Sequence, residues 1–318
     1  MKRLALLPVL ALLGAAAPST PLADRRPPDQ TFLTIPEWFL VFSPEEYASF
    51  LRDHAPSRFP FFGHLGQFWQ GYAAAAAASE PFPANAGYHL MIVVIGASTT
   101  VEYGLKGLYE KLVGRFTEQV AGDADTAEDR LAARTAAAYV AFIKVHPWYE
   151  FDFVMPLRAV WSDAGLWGPK PMRKWERKYL LTTEYLAKAG YGWALGKATR
   201  STYARPIEQT LVIVTEPGGL AKQLALPRYQ AFTGAAVGLA LGGADFVEIA
   251  GNRGPIVVTV LAGPTWLRPA RTHQLFQQPI LTQPGRYRYA VSSRVADLAT
   301  VTRSLYGSQA RIEHIYDY

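Results

Sequence analysis

The chain has 318 residues, of which half are hydrophobic and 13% aromatic, so it can bury a core in one or two domains and is not a disordered scaffold. It contains no cysteine, which excludes disulfide bonds, thiolate metal sites, cysteine nucleophiles and iron–sulfur clusters. The formal net charge of +6 includes Lys2 and Arg3 at the N-terminus, so the rest of the chain is only mildly basic. Such a charge favours an anionic surface slightly and does not by itself imply nucleic acid.

Residues 1–17 have the layout of a signal peptide. Lys2 and Arg3 precede an apolar stretch, and small residues follow it at 14–16. The apolar stretch is shorter than a helix that spans a bilayer comfortably. We therefore predict a periplasmic or secreted protein with a flexible leader over 18–30. If the segment is not cleaved, we expect it to anchor the protein to the inner membrane.

Helical patterns dominate the first half of the mature chain. Pro36 interrupts an apolar stretch and predicts a short extended piece followed by a helix start. Ser43 and Glu46 form a capping-box pattern that predicts a helix over 44–53.

A stretch dense in aromatic residues covers 56–72. It suits either a stacking surface for a sugar or lipid or a set of plugs for the helical core, and we favour the core. The aromatic residues concerned are Phe59, Phe61, Phe62, Phe68 and Trp69.

The most apolar run of the mature chain begins at Leu90 and continues as an amphipathic helix pattern. Polar flanks leave too few apolar residues for a membrane span, so we predict a buried helix. Its predicted core face consists of Val101, Leu105, Leu108, Leu112 and Phe116.

Two polar residues of this segment, His89 and Glu102, are candidate ligand-binding residues. Glu102 lies close to the edge of the apolar face by helical geometry. Paired with Lys106 it would belong to the scaffold, whereas unpaired in a cavity with His89 nearby it would be functional.

Three further helices are predicted before residue 206. Thr126 and Asp129 form a capping-box pattern that starts a helix over 127–145, and a short helix over 156–163 precedes a long one that starts near Met172.

The long helix carries aromatic and basic residues on different faces. Trp175 belongs to the apolar face, and Trp167 precedes the helix. The basic face suits either an anionic membrane surface or simple exposure to water. Its residues are Lys170, Arg173, Lys174, Arg177 and Lys178, of which Arg173, Lys174 and Arg177 join the tryptophans as ligand-binding candidates.

His146, Glu150 and Asp152 form an acid–base cluster between aromatic residues. Burial there would raise a carboxyl pKa and create a general acid. The alternative is a connection between helices that Trp148 and Tyr149 hold in place.

The periodicity changes from helical to alternating near residue 206. Two β-α-β units follow, and a hairpin turn over 251–254 adds one strand. Strands are predicted over 210–215, 245–250, 256–261, 287–291 and 311–318, with helices over 227–241 and 295–306. We therefore predict an α+β protein in which a mostly α-helical domain over 31–206 precedes a ferredoxin-like α/β sandwich over 207–318.

Glu313, His314 and Asp317 form a second candidate acid–base cluster in the last strand. The alternative is a strand whose polar side chains pair across the sheet.

Known catalytic motifs are missing from the sequence. There is no phosphate-binding loop, no HExxH zinc motif and no GxSxG elbow, so we predict neither a metal nor a cofactor. We favour a non-enzymatic envelope protein that binds an amphipathic ligand, an anionic membrane surface or an envelope partner protein, and no nucleic acid. The alternative is a hydrolase or isomerase with a metal-free carboxylate–histidine site. The oligomeric state is left open.

Overall fold

The computed structural model describes residues 19–27, 29–122, 125–163, 165–200 and 209–318. The predicted signal peptide lies outside these ranges. Helices come first, and two antiparallel β-sheets follow, so the fold class is α+β as predicted. Within the described part of the chain, none of the helices has the length and apolar content that crossing a membrane requires.

The helical elements of the first half are α1 Gln30–Phe50, α2 Phe61–Ser79, α3 Ala86–Tyr109, a wider π-helical turn Glu110–Gly114, α4 Arg115–Ala121, α5 Ala127–Ile143, α6 Val154–Ser162 and α7 Pro171–Arg200. The chain passes from α3 through the π-helical turn into α4 with right-handed helical backbone throughout, so the three form one long helix. The predicted capping box is confirmed: Asp129 donates its backbone N–H to Thr126 Oγ1, and the Asp129 carboxylate accepts the backbone N–H of Thr126.

Helix α1 differs from its prediction. It runs without a break through Pro36 and Pro44, so both the extended piece before Pro36 and the separate helix start at Ser43 are wrong. Almost every side chain in the first half of α1 is buried, and this burial compensates for the hydrogen bonds that the prolines cannot make. The Ser43 hydroxyl bonds to the hydroxyl of Tyr103 instead of capping a helix.

Helix α3 presents to solvent the face that periodicity assigns to the core. Leu105 is 67% exposed, whereas Ile92 on the opposite face is fully buried. The buried face contains Gly96 and Gly107, and a Cβ atom there would lie 2.5 Å from the Phe68 ring and 2.9 Å from the Phe61 side chain, respectively. The prediction is therefore wrong in orientation, because close packing against the aromatic rings of α2 requires the small-residue face.

Helix α7 is reversed in the same way. Its basic residues do not form an exposed patch, because acidic residues on neighbouring helices pair with them. Trp175 faces solvent instead. The buried ion pairs are Arg173 with Asp129 (2.8 Å), Lys174 with Glu128 (2.9 Å) and Arg177 with Glu110 (2.7 Å).

Of the aromatic residues over 56–72, Phe59, Phe61 and Phe68 are buried in the core as predicted. Trp69 is half-buried, and Phe62 is exposed.

The strands divide between two sheets. The elements are β1 Gln209–Thr215, β2 Ala221–Pro227, α8 Gln230–Leu241, β3 Asp245–Ile249, β4 Pro255–Ala262, β5 His273–Pro279, β6 Tyr287–Arg294, α9 Leu298–Tyr306 and β7 Arg311–Ile315. The strand orders are β2-β1-β3 and β5-β6-β4-β7. Each sheet contains a β-α-β unit whose two strands are parallel and flank a third antiparallel strand: β2-α8-β3 around β1, and β6-α9-β7 around β4.

The hairpin predicted over 251–254 is wrong. Asn252 pairs with Ile249 in a single bridge, and its side-chain amide donates to the carbonyl of Pro255, so the turn carries the chain from one sheet to the other. Strands β2 and β5 are not predicted from the sequence. The ferredoxin-like detail is not confirmed, because β3 and β4 belong to different sheets.

Helix α1 packs against the sheets and shares their core. Phe32, Trp38 and Phe42 of α1 belong to the same buried cluster as Val258 of β4 and Leu298 of α9. The cavity described below therefore has one wall, α1, that is itself supported by the sheets.

Candidate functional site

A cavity of about 150 Å³ lies between α1, α3, α5 and α7. Aromatic and aliphatic side chains form most of its wall, so it offers an apolar environment. They include Phe39, Phe61, Ile95, Trp148, Phe153 and Leu181.

Four charged side chains form a continuous ion chain on the cavity wall. Lys106 donates to Glu184 at 2.8 Å, and Lys188 contacts both Glu184 at 2.7 Å and Glu102 at 3.0 Å. Burial alone would raise the pKa of Glu184, but the two ammonium groups outweigh it and hold this pKa well below its usual range. Two positive and two negative charges balance, so the wall is polar without a net charge.

Lys188 stays charged for the converse reason. Burial disfavours its ammonium form, but the carboxylates of Glu102 and Glu184 raise the pKa of Lys188 well above its ordinary value. Glu184 and Lys188, which lie at the centre of the ion chain, therefore remain ionised at neutral pH.

Tyrosine hydroxyls supply further polar groups. Burial raises the pKa of Tyr103, Tyr139 and Tyr185 above the ordinary tyrosine value, so all three remain protonated. Tyr103 bonds to Ser43, and Tyr185 bonds to Thr135. The cavity thus combines an apolar wall with hydrogen-bond donors and fixed charges.

Arg177 lies at the cavity wall near the π-helical turn. It donates to both carboxylate oxygens of Glu110, at 2.7 and 3.1 Å, and also to Glu176. Burial opposes the charge of the guanidinium, but the two carboxylates raise the pKa of Arg177 well above its ordinary value. This arrangement leaves Arg177 fully engaged by protein groups.

The cavity opens between α3 and α7. Among its lining residues, Glu102 of α3 and Tyr191 of α7 are the exposed ones. The hydroxyls of Ser98 and Tyr191 meet at 3.4 Å beside them. A ligand that enters here first meets the most exposed member of the ion chain, Glu102.

The structure brings two of the predicted ligand-binding residues, Glu102 and Arg177, into the cavity. Glu102 is paired, but with Lys188 rather than with Lys106. His89 does not line the cavity and lies 3.3 Å from the hydroxyl of Tyr72.

The other predicted ligand-binding residues lie elsewhere on α7 and before it. Arg173 and Lys174 are buried in their ion pairs. Trp167 and Trp175 are exposed and contact each other, with ring centroids 6.4 Å apart.

The first acid–base cluster is not an enclosed site. His146, Glu150 and Asp152 are all exposed. Asp152 Oδ1 accepts the backbone N–H of Val154 at 2.9 Å and so caps the start of α6. None of the three lines the cavity.

The second acid–base cluster is buried and paired. Glu313 bonds to Arg288 at 2.7 Å, and Asp317 bonds to Arg228 at 3.1 Å. His314 has its Nδ1 3.1 Å from the hydroxyl of Thr233, and burial holds its pKa well below the ordinary histidine value. None of the three predicted residues lines the cavity, so neither cluster supports the acid–base hypothesis.

Sequence reasoning missed Glu184, Lys188 and Tyr139. One signal could have found the charged pair: Glu102 with Lys106 and Glu184 with Lys188 are both Glu–Lys pairs four residues apart on helices. Two such pairs on adjacent antiparallel helices can bond across to each other. In the structure Glu184 keeps Lys188 and also binds Lys106, and Lys188 also binds Glu102.

Among the described residues, no group of three or more His, Asp and Glu side chains is arranged to hold a metal ion. Comparisons with protein-family models, with curated proteins and with solved structures return no match to this chain.

Proposed function

We propose that this protein binds a small amphipathic molecule in the cavity between α1, α3, α5 and α7. The observation that carries the proposal is an aromatic-lined cavity whose wall holds the ion chain of two Glu–Lys pairs and whose mouth opens beside Glu102. Apolar pockets with a few convergent polar groups are the usual form of small-molecule sites.

The volume limits the apolar part of the ligand. The cavity has a volume of about 150 Å³. An engineered apolar cavity of about this volume in another protein holds a benzene molecule. A single ring or a chain of about six carbons therefore fits. Any larger ligand extends through the mouth between Glu102 and Tyr191.

The ion chain favours a carboxylate as the polar part. Glu102 is the most exposed of the four charges, with 42% of its side chain accessible. A ligand carboxylate can replace it at Lys188 while Glu102 turns to solvent, where its desolvation cost is small.

Three probes with one chain length separate these contributions: hexanoate, 1-hexanol and hexylamine, titrated by ligand-observed NMR. We expect hexanoate to bind most tightly, with a Kd of about 1 mM, because its five alkyl carbons contribute roughly 4 kcal/mol and its carboxylate contacts Lys188. We expect hexylamine to bind more weakly than hexanoate, because its ammonium group would have to share the carboxylate of Glu102 with Lys188.

Ala136 lines the cavity, and its neighbour Ala137 is exposed on the same helix. We expect Ala136→Phe to abolish hexanoate binding by filling the cavity and Ala137→Phe to leave it unchanged, with thermal melts to verify folding. Equal binding by both alanine variants would refute the proposal.

Glu102→Gln tests the preference for a carboxylate. It should tighten hexanoate binding several-fold because Lys188 loses its competing carboxylate.

Export is a further part of this proposal and rests on the sequence of residues 1–17. In a bacterial host we expect the protein in the periplasmic fraction, and mass spectrometry of its N-terminus would show whether those residues have been removed. A full-length cytoplasmic product would refute export without affecting the cavity.

A further inference from the structure

The long helix formed by α3, the π-helical turn and α4 presents to solvent an apolar stripe that no described segment of the chain covers. The stripe extends over about 45 Å, since 30 residues rise about 1.5 Å each. Its large side chains, each at least half exposed, are Leu90, Val94, Val101, Leu105, Leu108, Leu112, Phe116 and Val120.

Helix α7 carries a second exposed apolar stripe, rich in aromatic rings. Its members are Met172, Trp175, Tyr179, Leu186 and Trp193. Tryptophan and tyrosine combine an apolar ring with a polar tip, a combination suited to the boundary between water and lipid.

Both stripes lie on the same side of the helix pair. The contacts that join the helices run antiparallel, since Ser98 meets Tyr191 at one end and Tyr109 meets Tyr179 further along. Each stripe faces away from the core: by about 100° per residue, the α3 stripe lies opposite Ile92 and the α7 stripe lies opposite Arg177, and both of these residues are buried. Tyr179 belongs to the α7 stripe and also contacts Tyr109, so the two stripes adjoin there. We call the combined surface, defined by the two sets of residues above, the outer face.

The outer face is comparable with the largest apolar patch that a monomer usually exposes, and patches of that kind are often functional. Two adjacent helices lie 8–10 Å apart, so roughly several hundred Å² of largely apolar surface is contiguous. Patches of this size mark contacts with a protein or a membrane.

The exposed charges of these helices identify the partner. Lys111, Arg115 and Lys197 are exposed, and they have no acidic partner among the described residues. Lys197 lies over the Trp193 ring at 4.5 Å. Among the described side chains of α3, α4 and α7, one acidic residue is exposed. It is Glu102, which is already paired with Lys188.

We propose that the outer face binds the surface of an anionic phospholipid bilayer. The apolar stripes enter the boundary between headgroups and acyl chains, and the basic side chains contact anionic headgroups. A second copy of the chain fits less well, because it would bring the same basic residues towards each other without acidic partners.

The position of the cavity mouth agrees with this orientation. Glu102 and Tyr191 lie between the two stripes, so docking would turn the mouth towards the bilayer. The docking surface does not depend on the ligand, and either proposal can fail alone.

The test is flotation of the full chain with vesicles of phosphatidylcholine, with and without phosphatidylglycerol. We expect binding that strengthens with phosphatidylglycerol and weakens with salt. Leu105→Glu with Leu108→Glu should reduce binding about 100-fold, because two apolar anchors are lost and two like charges meet the bilayer. Lys111→Gln with Arg115→Gln should reduce binding to the anionic vesicles by roughly tenfold or more.

Leu220→Glu with Leu267→Glu is the matched control. Both leucines are more than 70% exposed, but they belong to the sheet half of the chain. Unchanged thermal melts would show that all three double variants are folded. Equal flotation of the Leu105/Leu108 variant and the control would overturn the proposal, since any binding would then come from elsewhere, such as residues 1–17. A wild-type dimer that dissociates in the Leu105/Leu108 variant and does not float would assign the outer face to self-association and also overturn it.

Discussion

Arg288 is a buried charged side chain that joins helix α1 to the sheets. It bonds to Glu46 of α1 at 2.9 Å and to both oxygens of Glu313 in β7, and its guanidinium lies 4.4 Å from the Phe42 ring centroid. His64 lies 3.6 Å from Glu46, but burial and the nearby Arg288 lower the pKa of His64 to about 3. The histidine is therefore neutral, and among the described residues Arg288 is the positive charge that pairs with both carboxylates.

We expect Arg288→Met to lower the free energy of unfolding by about 3–5 kcal/mol, because it leaves two buried carboxylates without a counter-charge. Urea unfolding followed by circular dichroism would measure it. Arg286→Met, at an exposed position two residues away, should change the stability by less than about 0.5 kcal/mol. Similar effects of both changes would show that the buried cluster contributes little.

Glu37 on α1 predicts a pH dependence of stability. Burial raises the pKa of its carboxyl from 4.5 to about 7, despite a hydrogen bond from Tyr88 and the charge of Arg228. Between these pH values the folded protein retains a proton that the unfolded chain releases. The contribution of Glu37 to stability therefore falls as pH rises from 4.5 to 7 and stays low above 7.

We expect the stability of the wild-type protein, relative to Glu37→Gln, to fall between pH 5 and pH 8. The difference is at most about 3 kcal/mol, because one pKa unit corresponds to about 1.4 kcal/mol. Thermal melts of both proteins across this pH range would measure it, and the comparison cancels the titration of His64. Parallel pH profiles would show that folding does not raise the pKa of Glu37.

At the scale of the elements, α3 and α7 each expose the apolar face that periodicity assigns to the core and bury another face. In α3 the buried face is small and includes Gly96 and Gly107, whereas in α7 it is charged. The aromatic rings of α2 pack closely against the buried face of α3 and stabilise it. The charged residues on the buried face of α7 form ion pairs with α5 and the π-helical turn.

Ile92→Ala and Val94→Ala test the orientation of α3. Ile92 is fully buried and Val94 is 50% exposed, although both belong to the same apolar run. We expect Ile92→Ala to destabilise the protein by about 2–5 kcal/mol and Val94→Ala by less than about 1 kcal/mol, as measured by urea unfolding. The reverse order would restore the orientation that periodicity predicts.

The elements that the sequence predicts are those with local signals. Thr126 and Asp129 mark the start of α5, and β-branched residues mark β1 and β4, because capping and strand propensity act over a few residues. Helical periodicity shows which residues share a face but not whether another helix covers that face. The orientation of α3 and α7, and with it the ion chain between Glu184, Lys188 and their partners, depends on contacts between distant segments.

At the scale of the whole molecule, helices and sheets share one buried core. Trp38 of α1 lies against His314 of β7, with ring centroids 3.5 Å apart. Gln67 of α2 donates to the carbonyl of Pro279, and Gln278 of β5 donates in return to the carbonyl of Gln67. Such contacts couple the stability of the helices to that of the sheets, across the domain boundary predicted at residue 206.

We therefore expect the chain to unfold in one cooperative transition. Seven of its eight tryptophans precede residue 207, so tryptophan fluorescence mainly reports the helices, while far-ultraviolet circular dichroism reports helices and sheets together. Val258→Ala removes a buried contact in the centre of β4. We expect it to lower the free energy of unfolding by about 2 kcal/mol and to shift the midpoints of both transitions equally. Leu267→Ala, at an exposed position, should shift neither midpoint. If Val258→Ala leaves the fluorescence transition in place, the helices are stable without the sheets, and the boundary at residue 206 separates two independent domains.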